Sequence, residues 1–176
     1  MKVLETERLL LRWVELDDAG FIMRLVQEPA WKRHIGDRKV DTPEEARAHV
    51  EKSYRSMYAR LGFGLNLVTD RRTGEPHGIC GLLKRDSLDD VDLGFAFLES
   101  SWGRGYAFEA ASAVMAQEPA RLGLTRVAAI TAPGNAASIR LLGKLGFRFD
   151  QEKGLGVGKP VVNLYLWEAA AAPQSG

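Results

Sequence analysis

Residues 91–110 read VDLGFAFLESSWGRGYAFEA: an apolar run, a short polar turn with two glycines, then an alanine-rich stretch. The pattern predicts a strand over 91–98 and a helix over 106–117, with Trp102 to Ala107 at the junction. The first amides of a helix have no backbone partner. Gly103 and Gly105 lack a Cβ and can enter positive φ, so the chain can curl there and present its N–H groups to an anion. Arg104 adds a positive charge between them. The stretch therefore reads as a phosphate cradle at a helix start. It is not a P-loop, because no Gly-Lys-Ser/Thr follows. Nor is it a dinucleotide fingerprint, because Phe108 stands where a third small residue is needed.

Upstream, runs at 63–69 and 77–83 join 91–98 in three strands separated by RRTGEP and KRDSLDD, the pattern of an antiparallel meander. A first strand is expected over 8–14. A helix begins near Asp17, carries Phe21, Ile22, Leu25 and Val26 on one side, and stops before Pro29. Residues 30–40 read as loop. Thr42, Pro43 and Glu45 form a capping box and open a helix of about five turns, whose stripe is Ala46, Val50, Tyr54, Met57 and Leu61. Downstream, Pro119 is expected to end the buried helix. A strand over 126–131, a helix over 135–145 and a strand over 159–167 follow, then a flexible tail over 169–176. The expected fold is α+β, a mixed α/β arrangement with a mostly antiparallel sheet of about 6–7 strands and about four helices in one domain, 1–168.

Composition limits the partners. With 24 Lys+Arg against 23 Asp+Glu the net charge is +1, which leaves no field to gather nucleic acid or an anionic membrane. A lone cysteine, Cys80, allows no internal disulfide, and the charged start MKVLETERLL is unlike a secretory signal, so the expected location is the cytoplasm. No run reaches the roughly 18 to 20 apolar residues of a membrane span. No metal-ligand spacing occurs, and oligomeric state is left at monomer or homodimer.

Three stretches taken in order add a resemblance. ETERLLLR at 5–12, WGRGYAFEA at 102–110, and Asn135-x-x-Ser138 with Lys144-x-Gly146-Phe147 resemble the GNAT superfamily of N-acetyltransferases, in particular its RimJ/RimL-like branch. The resemblance implies a twisted sheet splayed at the strand before the glycine loop. It also implies acetyl-coenzyme A as co-substrate, an amine as acceptor, and direct attack of the amine on the thioester. The pyrophosphate would rest on the amides of Gly103, Arg104, Gly105, Tyr106 and Ala107, the pantetheine on strand backbone at Phe97 and Leu98, and the oxyanion on an amide near Leu98. Asn135 would bond the pantetheine, Ser138 would bring a hydroxyl toward the departing thiolate, and Lys144 would face coenzyme phosphates. Asp92 corresponds to the strand acid that would serve as base, acting through a water, with Glu99 as a substitute. Departures from the pattern are Ser100, where many relatives carry Gln or Arg, and Gly143 in place of Glu.

The bland readings of the same residues stand beside these. Asn135 is also a helix N-cap for residue 138, Ser138 ordinary capping chemistry, Lys144 a solvated lysine and Asp92 a solvated edge acid. His34, His49 and His77 fall on no motif, and Cys80 in an apolar strand reads as core. Trp31, His34 and Trp102 are candidates for an acceptor cleft, with specificity in loops 30–40 and 154–159. A coenzyme-A sensor without catalysis is the alternative function.

Overall fold

Eight strands form a single sheet in the order β1-β2-β3-β4-β5-β6-β8-β7. They are β1 (Lys2–Glu5), β2 (Leu9–Trp13), β3 (Leu65–Asp70), β4 (Pro76–Leu83), β5 (Asp92–Phe97), β6 (Arg126–Thr131), β7 (Arg148–Gly154) and β8 (Val161–Glu168). The computed structural model describes residues 1–171, without the side chains of Lys2 and Val3. Residues 172–176 of the expected tail lie outside the described residues. Neighbouring strands run antiparallel except β5 and β6, which are parallel and share one pair, Asp92 with Ala128. The expected meander is β3-β4-β5, and the sheet has two strands more than the smaller number expected.

Both added strands are sheet edges. β7 reads RFDQEKG and is exposed along nearly its whole length, so no alternation betrays it. β1 is four residues long and partly charged. Hydrophobic periodicity detects a strand only where one face is buried.

The helices are α1 (Ala19–Gln27), α2 (Pro29–His34), α3 (Pro43–Val50), α4 (Ser56–Leu61), α5 (Tyr106–Arg121) and α6 (Ala136–Lys144). α1 to α4 cover one sheet face over Val14, Leu67, Ile79 and Leu98. α5 and α6 cover the other over Leu11, Val68, Cys80, Leu93 and Val127. Two expectations are corrected here. Residues 29–34 are helical rather than loop, because Pro29 sits at the first helical position, where its missing N–H costs nothing, and Trp31 enters the core. Pro119 lies inside α5, which runs on to Arg121. In the last turn a proline forfeits a single hydrogen bond, and Val114, Met115 and Pro119 are buried.

The long helix at 43–61 is continuous but contains a π turn over Glu51–Arg55. Its wider turn slips the apolar stripe by one residue, so Tyr58 is buried where the regular spacing pointed to Met57. The capping box is formed: Thr42 Oγ1 accepts from the Glu45 amide at 3.2 Å, and the Glu45 carboxylate accepts from the Thr42 amide at 3.0 Å. Thr42→Ala is expected to lower the free energy of unfolding by about 1 kcal/mol, read as a lower midpoint with unchanged slope in urea.

Candidate active site

The 102–107 junction takes the form its glycines allow. Gly103 and Gly105 adopt φ of 72° and 77°, and Gly105 occupies the N-cap position of α5, where it has no side chain to cap the helix amides. Gly103, Arg104 and Gly105 are exposed, Ala107 is half-buried and Tyr106 is buried. The Tyr106 ring is held on all sides: His77 stacks on it at 4.6 Å, and the guanidinium carbons of Arg8 and Arg104 each lie 4.7 Å from its centre. A rigid turn with uncapped amides and an arginine is thus open to an anion.

On β5, the alternation of an antiparallel ladder decides which backbone groups are available. The Leu98 amide donates to the His77 carbonyl at 2.9 Å, and the Leu98 carbonyl accepts from the Ser101 amide at 2.9 Å. The Leu98 amide is therefore already paired within the sheet, and the expectation that it offers free backbone to pantetheine is corrected. Phe97 is offset by one residue, so its N–H and C=O point away from β4 toward β6. Beyond Asp92 and Ala128 no further pair joins β5 to β6 among the described residues, so this side of Phe97 lies in the opening. The Trp102 indole N–H donates to the Phe97 carbonyl at 3.0 Å and leaves the Phe97 amide on that edge.

Because β5 and β6 are parallel, the loops leaving both lie at one end of the sheet. Asn135 caps α6, its Oδ1 accepting from the Ser138 amide at 3.3 Å. Ser138 is half-buried in the first turn. Lys144, exposed at the far end of α6, carries its ammonium 5.9 Å from the Phe108 ring, which places its charge beside the first turn of α5.

Asp92 sits at the closed end of the splay and is fully buried, not a solvated edge acid. Its Oδ2 accepts from Arg85 Nε at 3.0 Å, while Oδ1 is buried without a protein partner. Burial raises its carboxyl above the usual range against the opposing pull of Arg85. Glu99 is exposed, and its amide donates to Glu28 at 2.8 Å. The other candidates separate. His77 is buried with Nδ1 3.0 Å from Ser101 Oγ, His49 is on α3, and Cys80 is fully buried with its thiol pushed upward. Trp31 packs in the core under α1 and α3, on a different element from exposed Trp102. A cavity of about 240 Å³, floored by Leu88, Ala128 and Leu164, lies at the other end of β6 and contains none of these residues. No cluster of metal-binding side chains occurs among the described residues.

Residues 8–148 match the acetyltransferase (GNAT) domain family. The chain belongs to this family. It is similar to YkkB of Bacillus subtilis, an uncharacterized protein, at 31% identity over 84% of this chain and 86% of that one. An uncharacterized N-acetyltransferase of Bacillus licheniformis, p20, is 28% identical over 88% of this chain and 85% of its own. In fold the chain is similar to an acetyltransferase of Agrobacterium tumefaciens, with a TM-score of 0.81 at 24% identity over 96% and 95% of the two chains. It is also similar to RimL, a ribosomal L7/L12 α-N-protein acetyltransferase solved with coenzyme A, with a TM-score of 0.80 at 20% identity over 96% and 98%.

In this GNAT domain two residues at the loop escape a motif-by-motif reading. Arg8 and Glu109 each lie inside a quoted stretch, but 101 positions apart. Nothing in either stretch says that Arg8 Nε donates to Glu109 at 2.7 Å, or that Arg8 Nη1 holds the Arg104 carbonyl at 2.9 Å. His77 was legible only as a histidine off-motif, and its work is to fill the space under Tyr106.

Since the folded state raises the Asp92 pKa, its contribution is fully present below the ordinary carboxylate value near 4 and is lost as pH rises through the raised value. Asp92→Asn removes this dependence. In thermal melts across pH 4 to 9, the stability of the variant relative to wild type is expected to increase with pH. A relative stability of the variant that falls with pH would mean Arg85 outweighs burial.

Proposed function

We propose that the protein transfers an acetyl group from acetyl-coenzyme A to a primary amine, either a protein N-terminal α-amine or a small-molecule amine. The observation that carries this reading is the open, uncapped turn at Gly103-Arg104-Gly105, with both glycines at positive φ, next to an edge of β5 that pairs with no strand beyond Asp92 among the described residues. Support for the ligand comes from the family and from RimL, whose structure contains coenzyme A.

In this reading the amides of Gly103 to Ala107 and the Arg104 charge hold the pyrophosphate, with Lys144 adding charge beside the first turn of α5. The Phe97 amide faces the pantetheine, and the Asn135 amide group remains able to donate while its Oδ1 caps α6. Acetyl-coenzyme A supplies an activated acetyl thioester. The amine nitrogen bonds the acetyl carbon, the carbon–sulfur bond breaks, the nitrogen loses a proton and the thiolate gains one. Ser138 is the proton donor to sulfur. Asp92 takes the amine proton through a water at its unpartnered Oδ1, and its raised pKa suits that role. The demand on the base is modest for an α-amine of pKa about 7.7–8.0, roughly 20–35% neutral near pH 7.4, against about 0.1% for a lysine side chain.

Calorimetric titration with acetyl-coenzyme A, on wild type and on Gly103→Asn and Gly103→Asp, tests the reading. A Cβ at Gly103 meets nothing within 4 Å, and Asn and Asp tolerate left-handed backbone about equally, so the pair differs in charge alone. Micromolar binding by wild type, retained within a few-fold by Asn and weakened at least tenfold further by Asp, is expected. Asp92→Asn and Ser138→Ala should then each lower kcat by about 10²-fold with amine acceptors. Tight binding with no turnover of any peptide or amine would favour a coenzyme-A sensor, and no binding would defeat both.

A further inference from the structure

The turn between β1 and β2 reaches across the molecule to the first turn of α5. Three donors converge on Glu109, Thr6 Oγ1 at 2.6 Å, the Arg8 amide at 3.0 Å and Arg8 Nε at 2.7 Å, and Arg8 Nη2 completes the ion pair at 2.6 Å. Burial works to raise the Glu109 carboxyl, but these donations hold it below the usual range, so it is ionised. The remaining terminal nitrogen, Nη1, donates to the Arg104 carbonyl at 2.9 Å, and the guanidinium lies over Tyr106. One planar fork thus binds a carboxylate, a loop carbonyl and a ring together.

We propose that Arg8 is a positioning residue for the diphosphate of the coenzyme, an inference that rests on the reading of the preceding subsection. It acts in two ways. The 104–105 peptide is trans, as is every peptide bond among the described residues, so its N–H points opposite to its C=O. Holding the Arg104 carbonyl toward β2 turns the Gly105 amide the other way, out of the protein at an exposed residue. Second, Glu109 is the only acid in the first turn of α5. Unpaired, its charge would repel a diphosphate at the same helix end. Paired with Arg8 it leaves the field of the helix start positive. Lysine cannot replace Arg8, because a single ammonium does not reach the carboxylate and the carbonyl in the fixed geometry of a guanidinium.

The rival account is that the ion pair only ties β1 and β2 to α5. Arg8→Met and Arg8→Lys, measured three ways, separate the two. For Arg8→Met, the Kd for coenzyme A by calorimetry and the KM for acetyl-coenzyme A should each rise at least tenfold, with kcat within twofold of wild type. kcat/KM with S-acetylpantetheine, which has no diphosphate, should be unchanged. Arg8→Lys, which keeps a charge near Glu109, should show a smaller loss in the same direction and remains informative if Arg8→Met does not fold. Wild-type affinity in both variants would overturn the proposal, as would an equal loss for both donors accompanied by a lower melting temperature. Failure of the wild type itself to bind coenzyme A would instead overturn the functional reading beneath it.

Discussion

The organisation of this molecule depends on the parting of β5 from β6. Among the described residues these are the only adjacent strands that run parallel, and they hold together at a single pair, Asp92 and Ala128, with the Ala128 amide donating to the Val91 carbonyl at 2.9 Å. Buried backbone groups need partners, and in a continuous sheet the edge of β5 beyond Asp92 would find them in β6. Parting the strands leaves that edge to Trp102, which meets the Phe97 carbonyl, and to whatever enters the opening. Because the strands are parallel, the helices that follow them start at the same end of the sheet and pack on the same face, through Val114 and Leu142. An opening at the carboxyl ends of diverging parallel strands, the place where open α/β sheets bind ligands, follows from topology.

Much of this was legible, and the parts that were not share physical causes. The strand at 126–131, the helix opened by Thr42 and the turn at Gly103 and Gly105 were all set by local chemistry: burial pattern, capping and positive φ. β7 was hidden because RFDQEKG has no buried face, and helix 29–34 because six residues are too few to display a period. Pro119 misled because its cost depends on its place in the helix, and Tyr58 because a π turn does not announce itself in composition. At the site, motif positions were legible but pairings were not. Leu98 differs from Phe97 by ladder register alone, and register is a relation between two strands.

The two helix starts at the mouth show how a single cap residue divides the work between them. α6 begins at Asn135, whose carboxamide oxygen takes the Ser138 amide, so part of its positive end is consumed internally. α5 begins at Gly105, which has nothing to offer its own amides. A serine or aspartate there would be the better cap by roughly a few tenths of a kcal/mol in an ordinary helix, yet its side chain would occupy helix amides that glycine leaves open. Glycine sacrifices that stabilisation, and the loss is met from outside the helix: Arg8 on the loop carbonyl, His77 under Tyr106, and Thr6 with Arg8 on Glu109. The turn is thereby fixed by distant side chains while its amides stay uncommitted. That accounts for the long reach of the amino-terminal strands toward a loop almost a hundred residues away: a turn that ends on a glycine cap takes its fixing contacts from elsewhere in the sequence.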